Sequence, residues 1–284
     1  MASNINDLRG WIGRTESQID EVNPVPVAAL SATLDRDVPF PRVGDPLPPL
    51  WHWLYFLPVQ RQSEIEPDGL TKRGGFLPPV PLPRLMYAGN RQEFKRTLRI
   101  GDRISRTSSI ADVISKEGRS GPLVFVLVRH EIHTNEGLVL TEEQELVYRE
   151  HSKPGDPVSK PQSAPGKSSW SREISPDEVL LFRFSALTFN SHRIHYDRQY
   201  ATQVEGYADL VVQGRLIVIL LVDLLMRNIP NARIDHFSSR ALRPLFVGAP
   251  FTVCGQMEGD GKTVRLWAAD VEGWLATDAT AILA

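Results

Sequence analysis

Two stretches of the chain carry residue types able to move protons beside a carbonyl group. In Phe184-Ser185-Ala186-Leu187-Thr188-Phe189-Asn190-Ser191-His192-Arg193-Ile194-His195-Tyr196-Asp197, an asparagine, two histidines and an aspartate fall within the last eight residues. Leu210-Val211-Val212-Gln213-Gly214-Arg215-Leu216 follows, and it sets a glycine at the mouth of the most hydrophobic helical run in the protein. An imidazole titrating near about 6.5 has both protonation states within reach at neutrality, which suits a general base. A backbone N–H at a helix start stabilises negative charge growing on a carbonyl oxygen. Base and helix mouth together suit chemistry on a carbonyl or thioester, and His195 with Gly214 form the core of that expectation. Each residue also has a plainer reading. His192 serves as a hydrogen-bonding scaffold, Gly214 is an ordinary helix-start glycine, and His192 with His195 at a three-residue spacing lack a nearby third metal ligand. Ser185 has no nucleophile-elbow context.

The elements that must position these groups are read from pattern. Residues 179–184 read as a strand leading into the histidine stretch, and 214–228 as a deeply buried helix. Asp223 on that helix requires a partner if it is buried. Strands are expected at 234–240, 250–258, 263–271 and 274–282, with Cys254 a small buried residue in one of them. In the first half, Asn23-Pro24-Val25-Pro26 opens a short helix ending near Asp35, 39–49 is irregular, and the aromatic run 51–57 reads as a buried strand. An extended loop over 74–83 is followed by strands at 92–102, 104–116, 123–133 and 138–149, forming an antiparallel meander. Arg129, His130 and His133 sit near the end of one of these strands and read as a solvated or packed face.

The stretch 153–172 is rich in Pro, Gly, Ser and Lys and reads as a linker between an N-terminal half (1–152) and a C-terminal half (173–284). Leu98-Arg99-Ile100-Gly101-Asp102-Arg103-Ile104 echoes Leu245-Phe246-Val247-Gly248-Ala249-Pro250-Phe251 on the other side of it. The expectation is two related halves, each a curved antiparallel sheet with a helix against it, joined edge to edge.

Composition narrows the function classes. The 284 residues hold 32 Lys and Arg against 34 Asp and Glu, a near-neutral balance that argues against a nucleic-acid or membrane-surface role. With Cys254 as the one cysteine, no intrachain disulfide can form and a structural zinc finger is unsupported. The N-terminal residues lack signal-peptide character, and the apolar run 216–226 is interrupted by Asp223 and too short to span a bilayer. The expectation is a cytoplasmic protein.

Asn190-Ser191-His192-Arg193-Ile194-His195 resembles the Asp-x-Asn-Pro-x-His signature of the MaoC-like hydratase/dehydratase hotdog family, with the same spacing from first to last residue. Gly206 to Leu216 resembles that family's entry into its central helix. Within the family, the motif is similar to that of the subgroup containing mesaconyl-C4-CoA (itaconyl-CoA) hydratase and the type 2 hydroxyacyl-thioester dehydratases, as is Arg84-Leu85-Met86-Tyr87-Ala88-Gly89. The resemblance implies an α+β double hotdog with a degenerate N-terminal half and a catalytic C-terminal half. It implies a hydro-lyase acting on enoyl or 3-hydroxyacyl thioesters of CoA, the acyl group being short and branched or dicarboxylic. His195 would activate water, Gly214 would supply the oxyanion donor, and Asn190 stands where the family carries an acid. Asparagine orients but does not transfer a proton, so either His195 does all the proton work or an acid such as Asp197 or Asp209 substitutes.

Substrate-binding residues are expected at Arg84, His192, Arg193, Val212 and Gln213, with Arg84, Arg193 or Arg198 meeting a free carboxylate. No metal and no cofactor is expected beyond the CoA or acyl carrier protein of the substrate, nor any nucleic-acid or membrane partner, and a homodimer of double-hotdog chains is open. A fatty-acid or polyketide dehydratase acting on acyl carrier protein, a non-catalytic thioester-binding subunit and a hotdog thioesterase remain alternatives.

Overall fold

The computed structural model describes residues 5–118, 121–151 and 160–284. Ten strands form one antiparallel sheet: β1 (Thr15–Glu21), β2 (Arg84–Phe94), β3 (Arg103–Gly118), β4 (Gly121–Thr134), β5 (Gly137–Arg149), β6 (Trp170–Ile174), β7 (Ile234–Ala241), β8 (Phe251–Met257), β9 (Thr263–Asp270) and β10 (Leu275–Leu283). Their spatial order is β1-β3-β4-β5-β2-β7-β10-β9-β8-β6. Read from either end, that order gives the same sequence of roles, because β6 to β10 repeat the pairing of β1 to β5. The halves meet where β2 pairs antiparallel with β7, from Gly89 opposite Arg240 to Glu93 opposite His236. The edge of each half-sheet is thereby covered.

The helices are α1 (Ile5–Leu8), α2 (Pro24–Thr33), α3 (Glu178–Leu187) and α4 (Gly214–Asn228). Helix α4 is the core of the C-terminal half: every residue from Leu216 to Leu225 is buried, and the helix packs against β8, β9 and β10. Burying it on all sides matches its nearly unbroken apolar sequence. Asp223, its one acid, has a fully buried side chain and is surrounded by Arg227 at 2.7 Å, Arg172 at 3.1 Å and Arg36 at 3.4 Å. Cys254 is buried in β8.

The predicted echo is visible in three dimensions. Leu47 N–H donates to Leu98 C=O and Ile100 N–H to Asp45 C=O, while Val212 N–H donates to Leu245 C=O and Val247 N–H to Leu210 C=O. Both turns close on a glycine with positive φ, 95° at Gly101 and 78° at Gly248, a conformation that glycine alone adopts without cost. In the C-terminal half the segment paired with this turn, 210–212, leads the chain into α4. At the matching place in the N-terminal half there is only one 3-10 turn, Trp51–Leu54. The N-terminal half thus has no long helix matching α4 among its described residues, and the result is an α+β double hotdog.

Four sequence expectations are corrected. Residues 179–184 belong to helix α3, not to a strand. Asp177 caps the helix by accepting from Leu180 N–H, and Leu181, Phe184 and Ser185 fall on its buried face. The 51–57 run is buried as expected, but left-handed backbone at Leu50 and Phe56 brackets a 3-10 turn where a strand was expected. The strand expected at 92–102 is β2, which starts at Arg84 and ends at Phe94. Of the expected linker, 153–159 lies outside the described residues, and Trp170 to Arg172 already belong to β6. Residues 1–4 also lie outside the described residues.

Candidate active site

Helix α3 ends at Leu187, and Phe189 with φ of 48° turns the chain out of it. Asn190 then closes a tight turn. Its N–H donates to Ser185 C=O at 2.8 Å and its Oδ1 accepts from His192 N–H at 3.1 Å. With Oδ1 holding the turn, Asn190 has its Nδ2 donor to offer a ligand. The next residues wind into a 3-10 turn, Arg193–His195, with Ile194 and His195 buried.

His195 is 7 % exposed. Its Nδ1 lies 2.7 Å from the carbonyl oxygen of Val211. A carbonyl only accepts, so Nδ1 carries the hydrogen, and in the neutral ring Nε2 is left with its lone pair free. Burial, reinforced by neighbouring His192, lowers the imidazole pKa to about 3 against the opposing pull of the Val211 bond. The His192 ring stands edge-on to it at 5.5 Å, and burial with the charge of Arg84 holds it at about 4. Both rings are neutral at physiological pH.

The bond to Val211 ties the base to the segment that enters α4. Val212 is pinned by Leu245. Gln213, at the cap position, turns its side chain away and donates Nε2 to Leu181 C=O and to Ser185 Oγ, each at 2.9 Å. No side chain caps α4, and its first turn holds no acid. The first N–H groups and the positive end of the helix dipole are thus left unneutralised by side chains. Gly214 lies against Tyr87 of β2. A Cβ at position 214 would meet Tyr87 Cδ1 at 3.1 Å, so the N-terminal half supplies a wall directly at the helix mouth. A base with its lone pair fixed, a helix start with available amides and a wall from the other half can polarise a thioester carbonyl and move a proton at the carbons next to it.

The N-terminal half also covers the motif. Ser191 Oγ donates to Gly69 C=O at 2.6 Å, Arg193 N–H to Asp68 C=O at 2.8 Å and Arg193 Nη1 to Pro67 C=O at 3.1 Å.

The arginines expected to meet a substrate carboxylate are committed elsewhere. Arg193 donates to Asp197 Oδ2 at 2.7 and 3.0 Å and stacks on Tyr200. Arg198 joins Asp209 and Glu178 on the surface. Arg84 is buried, 2.8 Å from Glu205, with its guanidinium over Tyr207. The possible substitute acids are occupied as well. Asp197 is held below the usual carboxylate range by the Tyr200 N–H and by Arg193. Asp209 is also lowered, because Arg198 and the Leu210 N–H outweigh a burial effect of opposite sign. Both are fixed anions, unsuited to giving up a proton.

Sequence reading missed Tyr87, the wall at Gly214, and Glu205, the partner of Arg84. It also missed the buried cluster in the N-terminal half around Glu142, whose oxygens accept from His52, Trp53 and Gln92. His130, read as a face residue, is buried and bonded to Ser108, while Arg129 is exposed beside it. No helix among the described residues is long and apolar enough to cross a membrane.

A double hotdog with a histidine tethered at the mouth of its buried helix defines a class, and comparison with known proteins bears this out. The profile of the family "Hydroxyacyl-thioester dehydratase type 2" matches residues 50–247, and the chain belongs to that family of hydro-lyases. Among individual proteins, it is 46% identical over 277 residues to mesaconyl-C(4)-CoA hydratase of Chloroflexus aurantiacus, covering 96% of this chain and 97% of that one. It is 24% identical over 282 residues to the mitochondrial hydroxyacyl-thioester dehydratase type 2 of Schizosaccharomyces pombe, covering 87% and 90% of the two chains. The fold matches a crystal structure of a MaoC-like dehydratase from Phytophthora capsici with a TM-score of 0.69 at 17% identity, covering 99% of both chains. It also matches a Mycobacterium tuberculosis protein with a double hotdog fold, with a TM-score of 0.55 at 15% identity, covering 99% and 98%.

Proposed function

We propose that the protein catalyses the reversible hydration of a short, branched dicarboxylic 2-enoyl-CoA of the mesaconyl-C4-CoA type, with His195 as its general base. The observation that carries this reading is the Nδ1–Val211 bond. It leaves Nε2 as the basic atom and fixes it to the segment that ends at the uncapped start of α4. The substrate class is supported by the 46% identity to mesaconyl-C(4)-CoA hydratase along nearly the whole chain.

In this mechanism the thioester oxygen accepts from the Gly214 N–H, and Asn190 Nδ2 orients the attacking water. As the water oxygen bonds to Cβ, its proton passes to His195 Nε2, and the electron pair of the double bond shifts through Cα onto the thioester oxygen. The imidazolium then returns the proton to Cα, so H and OH of one water are added and no other acid is needed. Burial disfavours imidazolium in the resting enzyme. During turnover its counter-charge is the enolate held at the helix mouth, and the low dielectric strengthens that attraction. The substrate brings its own CoA, and no further cofactor takes part.

The test is loss of enoyl absorbance on incubating purified protein with mesaconyl-C4-CoA, itaconyl-CoA and crotonyl-CoA, in parallel with His195→Ala. Turnover of at least one substrate by the wild type, abolished in a folded variant, is expected. A variant working near the wild-type rate removes the mechanism. Ligand-induced thermal stabilisation without turnover would instead make the protein a thioester-binding subunit. Comparing rates on carrier-protein and CoA forms of one acyl chain tests the choice of CoA.

A further inference from the structure

We propose that Arg215 and Arg106 form the receptor for the second carboxylate of the substrate; this rests on the hydratase reading above and assigns its specificity. Arg215 directly follows Gly214, and its side chain runs from the mouth of α4 into the N-terminal half. There Nη2 donates to Gln144 Oε1 at 3.2 Å and the guanidinium lies over the Trp53 indole at 5.1 Å. Both partners are neutral. Among the described residues no carboxylate lies within ion-pair distance of Arg215.

Arg106 approaches from β3. Its guanidinium lies over Phe56 at 5.0 Å, Nη2 donates to Gln18, and its one carboxylate contact, to Glu16, is stretched to 4.0 Å. Its Nε is buried with no hydrogen-bond partner. The two cations are close enough to be felt by one another: Arg106 is lowered first by burial and also by the charge of Arg215. Glu142 also acts on both cations, but its oxygens are already filled by His52, Trp53 and Gln92.

The wall beneath these arginines is polar where its counterpart is apolar. Ser108, His130, Glu142 and Gln92 are consecutive partners across β3, β4, β5 and β2, and all are buried. In the C-terminal half, by contrast, α4 rests on Val253, Val264, Leu266 and Ala268. Tyr87 connects this polar wall to the reacting centre, since its ring packs on Gly214 and it senses both Glu142 and Arg215. Both guanidiniums are half-buried and keep unfilled donors: Arg106 Nε has no partner, and Glu16 reaches Arg106 only at 4.0 Å. Half-buried donors without a carboxylate on them favour an incoming anion. In mesaconyl-C4-CoA the free carboxylate is attached to Cβ, three bonds from the thioester carbonyl carbon. With that carbonyl at Gly214, the next residue along the helix is the cation nearest in sequence. A planar, bidentate guanidinium suits the task.

The experiment compares mesaconyl-C4-CoA with 3-methylcrotonyl-CoA, which has a methyl group in place of the free carboxylate, and with crotonyl-CoA, using wild type, Arg215→Gln and Arg106→Gln. Wild type should prefer the dicarboxylic substrate. Each substitution should lower its kcat/KM by at least about thirtyfold, the loss expected when one partner of a desolvated charge pair is removed. Turnover of the monocarboxylic thioesters should change by less than about threefold, which also shows that the variants are folded. Equal losses on all three substrates, or a wild type indifferent to the carboxylate, would overturn the assignment while leaving the hydratase reading intact. Wild type inactive on every thioester would instead defeat the hydratase reading itself. Should one variant fail to fold, the other variant and the wild-type preference still decide.

Discussion

Acidification should destabilise this protein steeply, well before its carboxylates begin to titrate. His195, His192 and His130 are all buried, with pKa values lowered to about 3, 4 and 4, chiefly by desolvation. A histidine whose folded pKa lies below its unfolded value of about 6.5 binds fewer protons folded than unfolded. Its contribution to stability is therefore complete above that pH and is lost as pH falls toward the folded value. Each such group costs roughly 1.4 kcal/mol per pH unit in that window, so three of them remove about 6 kcal/mol between pH 7.5 and pH 5. That rivals the whole net stability of a typical domain, about 5–15 kcal/mol. Urea unfolding followed by tryptophan fluorescence at pH 7.5, 6.5, 5.5 and 5.0 reads this directly. Substituting His130→Gln should reduce the pH-dependent loss to about 4 kcal/mol by removing one of three equivalent protons. A loss under about 1 kcal/mol over the same range would show that these rings are not buried as neutral imidazoles, and the proton assignment at His195 would go with it.

Other expectations follow from the same structure. While the fold holds, kcat/KM should stay level from pH 8 to about 5.5, since a base titrating near 3 is already unprotonated; an acid limb centred near about 6.5 would contradict this. Gly214→Ala places a Cβ 3.1 Å from Tyr87, closer than the ordinary carbon contact of about 3.5–4.0 Å. Steady-state kinetics should show a drop in kcat/KM of about a hundredfold from displacement at the helix mouth, with circular dichroism unchanged. Asp223→Asn leaves three arginines facing a neutral amide and should cost about 3–5 kcal/mol in urea unfolding; a change below about 1 kcal/mol would mean the cluster is solvated.

How legible the fold was depended on whether the signal was local. Helix α4 was placed correctly because an apolar run with a glycine at its mouth has few other readings, and the C-terminal strands because turn residues bracket each one. Residues 179–184 misled because an apolar run of that length suits a strand or a buried helix equally well; the deciding clue was the Asp177 cap three residues ahead of Leu180. Strand β2 was misplaced because its register shifts between Tyr87 and Gly89, which breaks the alternation of period two. At the site, Asn190, His192 and His195 are close in sequence and could be recognised by motif. Tyr87 at Gly214 and Gln144 at Arg215 are brought there only by the pairing of the two halves, so no spacing announced them. The arginines expected to meet a carboxylate are paired for a related reason. Arg193 and Arg198 lie near the motif in sequence, but their acidic partners lie equally near and neutralise them.

The seam between β2 and β7 has a consequence for how the molecule melts. Strand β2 is laddered to β5 within its own half and to β7 across the seam, so losing the second half strips β2 of a neighbour and losing the first removes β2 with the Tyr87 it carries. Heating should thus yield one calorimetric endotherm rather than two, and a fragment holding only the second half would show a bare β7 border and a helix entrance missing one side.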